Sequence, residues 1–307
     1  MCDILNHIEQ NPKETQRLIG LEYKQLQQLI QNAEQLHHEK QATLESQKIR
    51  IIAGGGGRKP KLSIQEQIIL TLVYLRHMTT FQLLGIQFGV SESTANDTFN
   101  YWLPLLRELL PSSLLEQVKK NASDYEIVKE ILTEYELTVD SYEQVRERPK
   151  DNEEQEKYYS GKESDHTFKS QIIILPDGRD IVDIVAGEPG PKSDITLFRE
   201  NRDRFDPRQK FKGDLGYQGE DLIDTPIKKP RNGELTTKQK EENKKFSSKR
   251  ILVEHRIRSV KIFRVVQDRF RLHSKKYEQV IMTICGLVRL RIGALILPAK
   301  IHPMLSS

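Results

Sequence analysis

Three carboxylates, Asp140, Asp214 and Glu254, occupy positions from which this chain could do chemistry. Glu254 lies in the segment Lys249 to Arg264, which holds no Pro or Gly and repeats its apolar residues at helical spacing. At roughly 100° per residue, Leu252, Val253, Ile257, Val260 and Phe263 form one broad arc. Arg250, Glu254 and Lys261 fall within about 40° of one another along its border. A carboxylate between two cations at that border either faces a cleft or belongs to a surface salt-bridge stripe of little energetic weight. Asp140 ends the apolar run Leu137-Thr-Val, where an Asp can equally be a turn residue. Asp214 sits where a short strand breaks between Gly213 and Gly216. Carboxylate oxygens gathered at one point suit a hard divalent cation.

The elements that would carry them read as a mixed α/β sheet. After Leu137 to Asp140, the polar stretch from Glu147 to Lys162 reads as a loop. Thr167 to Leu175 and Ile181 to Ala186 flank the turn Pro176-Asp-Gly178, a hairpin signal. Ser193 caps a helix running through Leu197 towards Phe205, and Lys210 to Tyr217 forms a further strand. The final helix, Lys275 to Ile292, buries Val280, Ile281, Ile284, Leu287 and Leu290, with Cys285 as a small core residue. Strand, hairpin, helix, strand and long helix in this order exclude a doubly wound parallel sheet.

The chain has 307 residues and a formal charge of only +4, from 48 Lys and Arg against 44 Asp and Glu. That balance permits a nucleic-acid partner without demanding one. Two cysteines, Cys2 and Cys285, make no disulfide framework or zinc site. No run approaches the length of a membrane span, and Met1 to Pro12 lacks a signal-peptide core. The expected setting is therefore cytoplasmic. The first 53 residues read as helix, with Leu26, Leu29, Ile30, Ala33 and Leu36 as a packing or dimerisation face. Gly54 to Gly57 form a flexible joint. Arg58, Lys59 and Lys61 make a basic arm that lies along DNA phosphates or in a minor groove, or is a solvated linker.

Residues 62–110 have the form of a helix-turn-helix. Ser63 and Glu66 make a capping box, Thr80 caps a short helix to Phe88, Gly89-Val90 turns, and Ser91 caps a third helix towards Leu110. Its exposed first turns carry Ser93, Thr94, Asn96, Asp97 and Asn100. Asn is suited to bidentate contact with adenine. A three-helix packing module without DNA would share the same caps. Later stretches, Lys228 to Arg231, Lys238 to Lys245 and Arg256 to Lys276, interleave cations with acids, as a DNA track or any exposed helix does.

Thr138-Val-Asp140, Tyr159-Ser-Gly-Lys162, Gly213-Asp-Leu-Gly-Tyr-Gln-Gly219 and Val253-Glu-His-Arg256 with Lys261 resemble the catalytic blocks of DDE transposases. The likeness is to insertion-sequence family five, related to the Harbinger elements, and it covers most of the chain. The resemblance implies an RNase H-like catalytic domain over residues 118–297. Before it would come an all-α helix-turn-helix domain over 58–117 and an N-terminal helical segment with its glycine linker over 1–57. Residues 298–307 would form a tail. By motif, Asp140, Asp214 and Glu254 map to the catalytic, metal-binding carboxylates, with Asp140 shared by two ions. Lys162, Arg250 and Lys261 would meet DNA, together with Arg58, Lys59, Lys61, Ser93, Thr94, Asn96 and Asn100. Arg250, Glu254 and Lys261 keep the spacing of the family's Tyr-Arg-Glu-Lys signature, although Ser247 stands at the tyrosine position. Asp140-Ser-Tyr stands where Asp-Gly-Thr is common.

The resemblance further implies two Mg²⁺ or Mn²⁺ ions per site, a double-stranded DNA partner and a homo-oligomeric synaptic complex. It implies no membrane and no small-molecule cofactor, and a prokaryotic, nucleoid-associated setting. The implied activity is metal-dependent strand cleavage and strand transfer at the terminal inverted repeats of the protein's own element. A domesticated DNA endonuclease and a catalytically silent DNA-binding regulator are the alternatives. Asp194 and Glu143 are lesser site candidates, and for Asp194 a first-turn helix charge is the plainer account.

Overall fold

Local capping chemistry starts most of the helices in the computed structural model, which describes residues 3–47 and 59–298. Arg58, the glycines 54–57, Cys2 and the tail from residue 299 lie outside the described residues. Two compact units form: one of residues up to Leu110 with Phe263–Val265 and the segment from Leu295, the other of Pro111–Ile262 with Val266–Ala294.

The first unit is helical. The stretch read as one helix is three: α1 (Asp3–Gln10), α2 (Thr15–Ile19) and α3 (Tyr23–Ser46). Pro12 opens a 3-10 turn after α1, and Gly20, at φ 92°, stops α2 in a left-handed conformation that a side chain resists. There a Cβ would also meet the Phe263 ring at 2.7 Å. Next come α4 (Ile64–His77), α5 (Phe81–Phe88) and α6 (Glu92–Leu109). They begin at Ser63, Thr80 and Ser91, each side chain accepting a backbone N–H of the first turn. Gly89 turns α5 into α6 at φ 64°. Of the residues whose pattern reads as core, Phe99, Trp102, Leu103 and Leu106 are buried, and Val90, at the turn, is half-buried.

The second unit is built on a six-stranded sheet. Its elements are α7 (Leu114–Val118), α8 (Ala122–Leu132), β1 (Glu136–Val145), α9 (Asn152–Tyr158), β2 (Tyr159–Ser160), β3 (Asp165–Ile174) and β4 (Ile181–Pro189). There follow α10 (Asp194–Asn201), β5 (Lys210–Lys212), β6 (Ile223–Asp224), α11 (Thr237–Lys261), α12 (Arg264–Gln267), whose first two residues belong to the first unit, and α13 (Tyr277–Arg291). β4, β3 and β1 are antiparallel neighbours, and β5 and β6 continue the sheet parallel to β1. The sheet is therefore mixed, as expected. On one face, Leu137, Val139 and Ile173 pack with Leu115, Leu132 and Phe198 from α7, α8 and α10. On the other, α11 lies against β1 and β3, and α13 against β4.

Further local expectations change, among them the strand read over Lys210 to Tyr217, which ends at Lys212 and gives way to a 3-10 turn capped by Asp214. β1 does not close at Asp140 but runs on to Val145, because Tyr142 and Gln144 stay paired with β3 and buried. The polar stretch 147–162 is not all loop: Asp151 accepts the Glu154 N–H and starts α9, with Glu153 and Glu154 in the favourable first turn. α11 begins twelve residues before Lys249, at a Thr236–Gln239 capping box, and ends at Lys261, so Phe263 is no part of its face.

Candidate active site

Pairing of β1 with β5 brings Asp140 and Asp214 together. Thr138 sits opposite Lys212 in the parallel register, and each aspartate lies two residues further on. Asp140 is mid-strand, opposite Ile172 of β3. Asp214 follows the end of β5 and caps a 3-10 turn, its Oδ1 accepting the Gly216 N–H at 2.8 Å. Burial, partly offset by Arg250 and the Ser141 N–H, pushes the Asp140 carboxyl up to about 6, and the nearby charges of Asp214 and Asp194 push the same way.

From the opposite side comes the cationic border of α11. Arg250 Nη2 lies 3.6 Å from the Asp140 carboxylate. Lys261 Nζ lies over the Tyr142 ring, 5.1 Å from its centroid. Burial holds the Lys261 ammonium below the usual lysine range, opposed by Glu163 and Asp140 and aided by Lys162. Glu254, one turn after Arg250 on the same stripe, is exposed, as are Lys162 and Ser247.

A fourth carboxylate belongs to the neighbourhood. A Cβ built on Gly216 would come within 2.9 Å of both Asp194 and Asp214 oxygens, so these two side chains flank that glycine. Lys169, buried on β3, lies 3.0 Å from Asp194 Oδ1 and 3.9 Å from Glu143. Its own hydrogen bond goes to the Lys192 carbonyl. Asp194 Oδ1 is buried with no hydrogen-bond geometry to any donor, the ammonium included. The sequence places Asp194 among the lesser candidates and carries no signal for Lys169 or Gln171.

The donor chemistry fits a hard divalent cation: the converging groups are carboxylates, one of them desolvated, with Cys285 buried in α13. Among the described residues, no three His, Cys, Asp or Glu side chains stand within metal-binding reach of one another. Glu254 does not join Asp140 and Asp214 in such a group.

In the first unit, Ser93 and Thr94 are exposed at the start of α6, and Asn96 and Asn100 are half-buried. Asn100 Nδ2 donates to Asn96 Oδ1 at 2.6 Å, one turn apart. Lys59 is exposed, and Lys61 reaches the Gly89 carbonyl at the α5–α6 turn.

Residues 139–289 match the family described as DDE superfamily endonuclease, and residues 60–112 match the helix-turn-helix of DDE superfamily endonuclease. A probable transposase for insertion sequence element IS702 of Microchaete diplosiphon is 32% identical over 225 residues, covering 72% of this chain and 78% of that protein. The chain belongs to the DDE transposases, with a helix-turn-helix DNA-binding domain ahead of a nuclease-type domain. Two solved structures are also similar. A Mos1 transposase paired-end complex with the left transposon end matches at 14% identity and TM-score 0.18, over 61% of this chain and 65% of that one. A pre-cleavage Mos1 transpososome matches at 13% identity and TM-score 0.18, over 75% and 86%. The chain thus spans just under two thirds of the first of these. No helix among the described residues is long and apolar enough to cross a membrane.

Proposed function

We propose that the protein binds the terminal inverted repeats of its own element, cuts DNA strands there and joins the ends to target DNA, using Asp140, Asp214 and Glu254. The observation that carries this reading is the level placement of Asp140 and Asp214 beside the Arg250–Glu254–Lys261 stripe of α11. Asp140 and Asp214 would hold Mg²⁺ or Mn²⁺ ions, two per site, with Glu254 closing in from α11. Held by these carboxylates, a divalent cation would supply activation of the attacking hydroxyl and charge neutralisation at the leaving oxygen. Arg250, which lies beside Asp140, would turn to a DNA phosphate, for which a planar guanidinium is well matched. Lys261 and Lys162 lie near enough to each other to follow the same backbone. The α6 face would read the repeat, with the arm at Arg58, Lys59 and Lys61 along its phosphates, and two ends would be held by a homo-oligomer.

The test is a band-shift beside a cleavage gel on one labelled terminal repeat, with Mg²⁺, Mn²⁺ or excess EDTA. Binding in all three and cutting only with metal is expected. Robust cutting in excess chelator would sink the metal reading, and binding without cutting in either metal would leave a DNA-binding regulator.

A further inference from the structure

One buried hydroxyl, on the turn that follows Asp214, contacts Ser141 beside Asp140 and, through Gln171, is linked to the Asp194 backbone. Tyr217 is fully buried, and its phenol oxygen lies 2.8 Å from Ser141 Oγ, the residue after Asp140 on β1. Gln171 Nε2 on β3 donates to the same oxygen at 3.0 Å and to the backbone carbonyl of Asp194 at 3.2 Å. As Gln171 supplies a donor, the phenol proton is free to go to Ser141. Tyr217 also ends the 3-10 turn that Asp214 caps, its N–H bonding the Asp214 carbonyl at 3.2 Å. A Cβ at Gly213 would strike the Tyr217 ring at 2.6 Å. Glycine before Asp214 is what lets the ring lie under that turn.

We infer that Tyr217 is a positioning residue: through Ser141 and Gln171 its hydroxyl ties β1 and β3 to the turn that Asp214 caps, and so holds Asp140 and Asp214 in the mutual arrangement that receives the metal. This rests on the metal-carboxylate reading given under Proposed function. The ring alone, packed against Phe198 and Gly213, serves the core; the hydroxyl is surplus to that task. Groups that orient metal ligands from behind commonly change metal affinity by about 10–100-fold when removed.

The experiment titrates the full chain with Mn²⁺ alone, following free Mn²⁺ by electron paramagnetic resonance, and records thermal unfolding for each variant. Tyr217→Phe keeps the ring and removes the hydroxyl, and should weaken Mn²⁺ binding about 10–100-fold. Ser141→Ala should weaken it in the same direction, and the double variant should fall short of the product of the two, because they share one hydrogen bond. Phe205→Leu, in the same core but outside the network, should lower the unfolding temperature while leaving Mn²⁺ affinity unchanged. Should Tyr217→Phe fail to fold, Ser141→Ala against Phe205→Leu carries the comparison. Wild type that binds Mn²⁺, loses it in Asp140→Asn, and is matched within twofold by Tyr217→Phe or Ser141→Ala would overturn the positioning role alone. A Phe205→Leu variant that shifts affinity as much as they do would overturn it too. Wild type that binds no Mn²⁺ would overturn the metal reading and the positioning role together.

Discussion

Asp140 on β1 and Asp214, just past the end of the parallel strand β5, each lie two residues beyond the paired Thr138 and Lys212. If these carboxylates hold the metal, Asp140→Asn, Asp214→Asn and Glu254→Gln each keep shape and remove one ligand charge. Strand cleavage should fall on the order of 10⁴-fold in each, with the triple variant little worse, because the three act as a unit. Binding to the terminal repeat should persist. A single variant cutting at near wild-type rate on the same gel would show that its carboxylate is not a ligand.

Asp140 also gives the protein a pH signature in the presence of chelator. Its folded carboxyl titrates at about 6 against an ordinary 3.8, chiefly because it is buried. The folded state therefore holds this proton more tightly, and the group favours folding most fully below pH 3.8. That contribution is lost as pH rises towards 6, amounting to about 3 kcal/mol. In EDTA, Asp140→Asn should be more stable than wild type at pH 7 by up to about 3 kcal/mol, an advantage that shrinks as pH falls through 6 towards 4. Denaturant titrations at stepped pH check this; a pH-independent difference would contradict it. By the same competition, metal affinity should drop as pH falls below about 6.

The α6 face makes a separate prediction. Asn96 and Asn100 are joined by a 2.6 Å hydrogen bond, which would orient both amides before DNA arrives. Asn96→Ala or Asn100→Ala should cost about 1–3 kcal/mol of discrimination for the terminal repeat. Lys59→Ala should weaken all sequences alike and flatten the salt dependence. Titrations across salt and across scrambled repeats separate the two. Unchanged specificity in the Asn variants would remove α6 as the reading helix.

Arg289 should matter to stability alone. Fully buried on α13, it pairs with Asp180 at 2.7 and 2.8 Å and donates to the Pro111 and Ser113 carbonyls and to Gln117. Arg289→Met strands the Asp180 carboxylate and should cost about 3–5 kcal/mol. Lysine cannot reproduce the fork and should rescue little. A loss under about 1 kcal/mol in denaturant unfolding would contradict that account.

What the sequence determined by itself was local. Ser63, Thr80, Ser91 and Ser193 start their helices because a side-chain oxygen accepts the backbone N–H three residues on. The Pro176-Asp-Gly178 turn joins β3 to β4, with Gly178 at φ 71°. These signals need only near neighbours, and so did the stripe of Arg250, Glu254 and Lys261. Tertiary structure alone decided the register that sets Asp140 level with Asp214, a pairing of distant segments chosen by how Leu137, Val139 and Phe211 share one core. It alone placed Asp194 beside them and drew Ser141, Gln171 and Tyr217 to one oxygen. Periodicity marks which face of an element is apolar; which buried polar group it meets depends on strands that are far apart in the chain until the sheet has formed.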